Sequence, residues 1–557
     1  MSTRRSFLEA SARERVLSLL DPGSFREVCP PSERLISPHL AVLDLPQALD
    51  DGIVTGAGRL AGHTVLIAAQ EGRFNGGAVG EVHGAKLVGL LNAAALERPA
   101  AVLLLIDSGG VRLHEANAGI LAISEVARAL LEVRRCQVPV IALLGGSCGA
   151  FGGMGIVTRL CHVVIMSEEG RLSLSGPEVI ETVKGREEFD SRDRALVWRV
   201  TGGKTRRALG EADRLVEDDI AAFRTAALES LENMPADGPP ALSIDDLRAR
   251  QASLRARAAQ FASARDGTEI LAARVHLAPE ASALADAETF EAALRPALAG
   301  LADPQPVLWG ALNAADQVFV DRLFGTQQAT LRSVGHFIAG EAHTGQGPMW
   351  VIGTRDHAPI GLILALQLAD AVLAAVAHDA AKGQPQPILL LAETEGQALS
   401  RHDELLGLNG ALGHLALCVD LARRAGHRLV TLVRNEAVSG GFLAFGMLGD
   451  IICALPDAQV RVMDLRAMAR VTRIPLERLE ALAKSSPVFA PGAANFLELG
   501  GVHRLWRDDE SWTLALAEAL QDATDSDQRS ALGYQRGGRQ LAAQVATRVC
   551  AQVSELM

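Results

Sequence analysis

Glycine-rich turns that close apolar runs are where this chain could do chemistry. Residues 101–106 (AVLLLI) run into Asp107-Ser108-Gly109-Gly110, and residues 138–144 lead to Gly149-Ala150-Phe151-Gly152-Gly153. In the second half, residues 387–391 run into Glu393-Thr394-Glu395-Gly396, and residues 428–433 lead to Ser439-Gly440-Gly441 and Phe445-Gly446. Matched positions lie about 290 residues apart, far beyond a solenoid period. Backbone N–H groups left free at such turns, and at the start of a following helix, can hold a carbonyl oxygen on which negative charge builds. Two related domains that each offer such donors suit that chemistry.

Competing motifs are weaker. Gly145-Gly146-Ser147-Cys148-Gly149 fits the G-x-S-x-G nucleophile elbow. His162 follows Ser147 too closely for a hydrolase order, and a hydrolase leaves the duplication unexplained. Gly202-Gly203-Lys204-Thr205 resembles a P-loop tail, but Trp198 stands where the first glycine is required. His83, His114, Glu115, Glu178, Glu181, His402, Glu404 and His414 have acid–base side chains, although each alone is more often a cap or a packing residue. His83 and Lys86 follow Gly76-Gly77 on a predicted helix and could face a ligand mouth.

The elements that must position these turns read as alternating strands and helices. At 557 residues the chain predicts two or three domains, and 48% hydrophobic with 22% charged residues predicts a well-packed protein. Strands at 64–68, 102–106, 138–144 and 163–166 alternate with helices at 82–91 and 120–135, predicting a layered α/β domain with parallel strands. The predicted division is 1–235, a helical tail and linker over 236–305 read mainly as a spacer, and a second α/β domain with a helical tail over 306–557. The net charge of −12 argues against non-specific nucleic-acid binding. Seven scattered cysteines without a CxxC pair fit a reducing compartment and give no zinc site, so no metal is expected. Residues 358–377 are the best membrane decoy, but Gln367 and Asp370 make a buried helix the better reading. No apolar signal core opens the chain. The expectation is a cytoplasmic protein away from membranes.

In combination the motifs resemble the carboxyltransferase family of the crotonase superfamily. The first half matches through residues 76–86 (GGAVGEVHGAK), 108–115 (SGGVRLHE) and 149–153 (GAFGG), and the second through 393–396 (ETEG), Gly413-His414 and 439–441 (SGG). Within that family, residues 176–185 (GPEVIETVKG), 399–409 (LSRHDELLGLN) and 485–492 (SSPVFAPG) are similar to the β and γ subunits of biotin-independent malonate decarboxylases, here fused. Where biotin-dependent relatives carry Asp-Thr-Pro-Gly, this chain has Glu-Thr-Glu-Gly.

The resemblance implies two crotonase-like domains of ββα superhelical type, related by duplication. It implies a carbon–carbon lyase that decarboxylates a malonyl thioester, carried by a separate acyl-carrier subunit, to acetyl thioester and CO2 through an enolate. A separate transferase subunit would exchange acetyl for malonyl on that carrier, whose phosphopantetheine-type thiol is the only prosthetic group involved, with no cofactor bound by this chain. A homo-oligomer is expected. The site is placed between the halves, with Gly109, Gly110, Gly149 and Gly152 on one side and Ser439, Gly440 and Gly441 on the other. The carrier arm enters past Gly76, Gly77 and His83. The alternative is a carboxyltransferase subunit of a biotin-dependent acyl-CoA carboxylase; a Ser147 hydrolase and a non-catalytic carrier scaffold are further readings.

Overall fold

Ala61 and Gly62 decide how the first sheet begins. Both take positive φ, 48° and 84°, as a two-residue hairpin turn matched to strand twist requires. Strands β2 (Ile53–Leu60) and β3 (His63–Gln70) therefore pair antiparallel, with Leu60 opposite His63, and β1 (Arg26–Val28) adds antiparallel to β2. Beyond β3 the connections pass through helices or long loops. Strands β4 (Ala101–Leu105), β5 (Val140–Leu144), β6 (Val163–Met166) and β7 (Arg214–Leu215) follow in parallel, giving the order β1-β2-β3-β4-β5-β6-β7. The sheet is thus mixed: an antiparallel hairpin, its turn too short for a crossover, precedes the parallel strands that the sequence predicts.

The computed structural model describes residues 4–295 and 308–557; the predicted boundary at 305/306 lies outside them. The second half repeats the plan. Strands β8 (Ala329–Val334), β9 (Phe337–Thr344) and β10 (Gly347–Thr354) are antiparallel. A short pair, β11 (Pro359–Ile360) with β13 (Gly396–Gln397), stands apart from the main sheet. Strands β12 (Ile388–Thr394), β14 (Leu429–Val438), β15 (Ile451–Ala454) and β17 (Arg504–Leu505) continue the main sheet in parallel, and β16 (Gln459–Arg461) also pairs with β14.

Strand faces alternate between two environments. Val65, Ile67, Leu103 and Ile141 pack outward with Phe7, Val16 and Phe223, whereas Leu66, Val102, Leu104 and Ala142 join a central core that includes Ile352, Leu390 and Val433 from the second half. Burial on both faces explains why these strands read as unbroken apolar runs. Helices Glu81–Glu97, Ala116–Arg135, Leu362–Lys382 and Leu408–Arg424 contribute buried residues to that central core. Leu362–Lys382, the helix covering the membrane decoy, is long and apolar enough to cross a bilayer, and 56% of its most apolar window is buried.

The halves exchange helical arms. Ile244–Gln260, in the stretch read mainly as a spacer, lies on the second half, where Gln251 Nε2 donates to Leu366 O at 2.8 Å and Arg255 pairs with Asp370. Ala542–Leu556 lies in turn on the first half. A Cβ at Gly89 would meet Ala546 O at 2.5 Å, so that glycine permits the close helix approach. Glu81 Oε1 accepts from the N–H groups of Leu541 and Ala542 (2.7 and 3.1 Å), and Arg539 binds Glu125 with two nitrogens.

Glu211 is a buried hub of the first exchange. It pairs with Arg257 (2.6 Å) and Arg159 (3.2 Å) and lies against Gly410 of the second half, where a Cβ would sit 2.4 Å from its Oε1. These arginines outweigh burial and pull its carboxyl down to about 2. Its stabilisation is therefore complete above the unfolded value of about 4.3 and is lost as pH falls toward about 2. Acid unfolding of Glu211→Gln should be flatter than native across that window; identical acid profiles would refute this role.

Candidate active site

Asp107, at the end of β4, ties the first-half turns together. Its Oδ1 accepts the Cys148 N–H at 2.7 Å, its Oδ2 accepts Arg15 Nη1 at 2.9 Å, and its own N–H donates to Gln70 Oε1 at 3.3 Å. Gly72 and Gly146 crowd that carboxylate so closely that Cβ atoms there would lie 2.6 and 2.1 Å from it.

Beyond Asp107, two glycine backbones cross. Gly110 has φ 102°, and a Cβ on it would lie 3.0 Å from Gly152 Cα. Gly152 has φ 56° and ψ −143° and caps the helix Gly153–Leu160, a conformation that L side chains rarely adopt. Its N–H donates to Leu174 O at 2.6 Å. The next N–H, of Gly153, begins the helix and so has no acceptor one turn earlier. Among the described residues, neither it nor the Val111 N–H has an acceptor.

The facing wall comes from the second half. Gly440, in the short helix Ser439–Leu443, donates its N–H to Gln397 Oε1 at 3.0 Å, and Gln397 Nε2 donates to Ser175 Oγ at 3.3 Å. Glu404, buried, reaches into the first half and accepts from Ser173 Oγ (2.5 Å), Leu174 N–H (2.8 Å) and Ser175 N–H (2.7 Å). One second-half carboxylate thereby fixes the 173–175 segment, which in turn holds Gly152.

Between the walls lies a cavity of about 520 Å³. Of the positions singled out from sequence, Gly76, Gly109, Gly152, Ser439 and Gly440 line it. Gly77, Gly110, Gly149 and Gly441 sit behind that lining in close backbone packing, with Cβ atoms that would lie 1.7 Å from Asp107 O, 3.0 Å from Phe151 O, 2.5 Å from Arg171 O and 2.8 Å from Gly396 C respectively. Gly109 spends its N–H on Gly76 O and Gly110 on Ser108 Oγ.

His83 lies in the interior, outside the cavity lining. Its N–H donates to Asp51 Oδ2 at 3.0 Å, Nδ1 donates to Asp51 O at 3.1 Å, and Nε2 accepts from Gln70 Nε2 at 3.1 Å. Burial, with Arg112 nearby, holds this imidazole well below its usual range and so neutral. Arg112, which reaches the cavity lining, binds Asp51 at 2.9 Å and Glu115 at 2.7 Å, while burial still pushes the Asp51 carboxyl up to about 7.

Several other polar residues reach the cavity. His114, lowered by burial and by Arg112, is neutral near pH 7, and the Cys148 thiol is raised by burial and by Asp107. Glu178 also lines the cavity. Arg171 lies 5.3 Å over Phe151 and 5.0 Å over Trp198, and its Nε and Asn75 Nδ2 are buried without partners among the described residues. Arg171 and Gln397 belong to no motif of the sequence reading; Val111 and Gly153 lie inside its glycine motifs but are not among the site residues singled out from it.

Of the decoys, Ser147 lines the cavity but has no catalytic partner among the described residues, and the others are held elsewhere. Ser147 Oγ has only Cys148 Sγ, at 3.9 Å, near it, and His162 uses Nδ1 to accept the Val140 N–H, with burial lowering it to about 3. Lys204 Nζ donates to Ala283 O. His402 Nδ1 meets Ala264 O, His414 is buried beside Cys418, and Glu181 accepts from Ser191.

Known proteins resemble this chain in sequence. A family model described as "Malonate decarboxylase gamma subunit" matches residues 355–553. The chain is 44% identical to "Malonyl-S-ACP:biotin-protein carboxyltransferase MADC" of Malonomonas rubra over 41% of this chain and 76% of that protein. It is 33% identical to "Malonyl-S-ACP:biotin-protein carboxyltransferase MADD" of the same organism over 33% of this chain and 69% of that protein. A crystal structure of a Pseudomonas malonate decarboxylase hetero-tetramer in complex with malonate aligns at 41% identity over 48% of this chain and 96% of that chain, with a TM-score of 0.44. By the extent and identity of its matches to carboxyltransferase subunits, the chain belongs to the carboxyltransferase-subunit family of malonate decarboxylases, with both subunit types joined in one polypeptide.

Proposed function

We propose that this protein decarboxylates a malonyl thioester, presented by an acyl-carrier subunit, to acetyl thioester and CO2 without biotin. The observation that carries this reading is the pair of unengaged N–H groups, Val111 and Gly153, on residues lining the first-half wall of the cavity. Breaking the bond between the carboxylate and the α-carbon sends its electron pair into the thioester. The thioester oxygen then carries enolate charge as CO2 leaves, and the α-carbon takes a proton. Preorganised donors at that oxygen are worth about 3–4 kcal/mol each in comparable sites. Gly152 and Gly110 place these donors by leaving no side chain between them, with Gly109 and Gly149 shaping the turns and Ser439, Gly440 and Gly441 forming the opposite wall.

The unpartnered nitrogens of Arg171 and Asn75 suit an anionic substrate. The carrier arm, with its phosphopantetheine-type thiol, enters past Gly76. A transferase subunit reloads the carrier, and the chain works as a homo-oligomer in the cytoplasm.

The names of the two Malonomonas relatives favour a second reading, in which the carboxyl group passes to a biotin protein. The deciding measurement is CO2 release from malonyl-carrier protein by the purified chain without biotin, ATP or added metal. Release under those conditions is the expected result. Release or carboxyl transfer only when a biotinylated acceptor is added would overturn the proposal and establish the second reading.

A further inference from the structure

Two walls of one cavity offer backbone donors, and they are not in the same state. On the first-half wall the N–H groups of Val111 and Gly153 have no acceptor among the described residues. On the second-half wall the Gly440 N–H is already engaged, at 3.0 Å, by a carbonyl oxygen that belongs to the chain itself, Gln397 Oε1. The carboxamide is held at its other end by Ser175 Oγ, 3.3 Å from Gln397 Nε2, so it spans both halves. The fit is close: a Cβ on Gly440 would lie 3.1 Å from Gln397 Oε1 and 3.3 Å from Leu174 Cδ1. A side-chain amide oxygen has the same acceptor chemistry as a thioester carbonyl or a carboxylate oxygen.

We infer that Gln397 is a resident occupant of the Gly440 donor, so that a bound malonyl thioester does not use that N–H as an oxyanion donor. The inference rests on the function proposed above and adds which donor is out of use. A second free donor facing this substrate would do harm. Bound to the departing carboxylate, or to the thioester oxygen in a reversed pose, it would stabilise the ground state more than the transition state. Gln397 acts through Gly440 and is a positioning residue. It sets specificity by keeping one hydrogen-bond donor out of use.

The test is Gln397→Ala, which frees the Gly440 N–H. Ground-state binding of this kind lowers kcat and KM together and leaves kcat/KM nearly unchanged. From the worth of one hydrogen bond, the expected fall in each is about threefold to tenfold. Acetamide, a small copy of the lost side chain, should raise both parameters back together in the variant and leave the native protein unaffected. Malonate binding, which needs no turnover, should tighten by a similar factor.

A higher KM with lower kcat/KM would show that Gln397 only braces the two walls and would overturn the inference, as would unchanged kinetics and malonate affinity. If the native chain releases no CO2 while the variant still binds malonate more tightly, the inference stands and the decarboxylation reading falls. Should Gln397→Ala fail to fold, Gln397→Met keeps the volume, lacks the amide, and is expected to give the same profile.

Discussion

Gly152→Ala is expected to lower CO2 release from malonyl-carrier protein by about 10²–10³-fold per folded molecule, the loss associated with removing one oxyanion donor. The cause is geometric. Gly152 has φ 56° and ψ −143°, and a Cβ there would stand 3.1 Å from Gly110 Cα and 3.7 Å from the Val111 nitrogen. The backbone must move away from Gly110, and the Gly153 and Val111 donors move with it. Holding alanine in such a conformation costs about 1–3 kcal/mol, so a lower melting temperature should accompany the loss. Thermal unfolding and single-turnover CO2 release, measured on the same sample, separate the two effects. A variant that melts earlier but turns over within tenfold of native would remove these donors from the mechanism.

Glu404→Ala should be the most destabilising single change at the interface of the halves. The carboxylate is buried and accepts from Ser173 Oγ, Leu174 N–H and Ser175 N–H. Removing it strands two backbone N–H groups, each costing about 1–3 kcal/mol when buried without a partner. The expected loss is about 3–5 kcal/mol by urea unfolding, comparable to removing one member of a buried charged network. Activity should fall as well, because the 173–175 segment carries the carbonyl that holds Gly152. An unfolding midpoint within experimental error of native would show that the segment is fixed by other contacts.

The strands and the glycine turns were legible in the sequence for a physical reason. Strands buried on both faces leave unbroken apolar runs such as residues 101–106, and backbones that cross at Gly110 and Gly152 exclude every residue with a Cβ. What stayed hidden has no residue identity. The unengaged donors belong to the backbone of Val111 and Gly153, and any residue but proline has an N–H. The use of Gln397 likewise depends on a contact with Gly440, 43 positions away. His83 illustrates the opposite case. Its place just after a glycine turn suggested a ligand mouth, but the helix buries that face, and Asp51 and Gln70 satisfy both ring nitrogens. The role of residues 244–260 was obscured by their high arginine and alanine content, which reads as a polar spacer until Leu247, Gln251 and Leu254 are seen buried against the other half.

The exchanged arms also set an order of events during synthesis. A ribosome completes the first sheet and its helices long before it reaches residues 542–556, yet that 15-residue helix covers Glu81–Glu97. Until it emerges, the groove around Gly89 and the Oε1 atom of Glu81, whose other oxygen meets His39, lack the cover this segment gives them. The nascent first half is therefore a client for whatever shields apolar surface in the cell until residues 542–556 have left the ribosome.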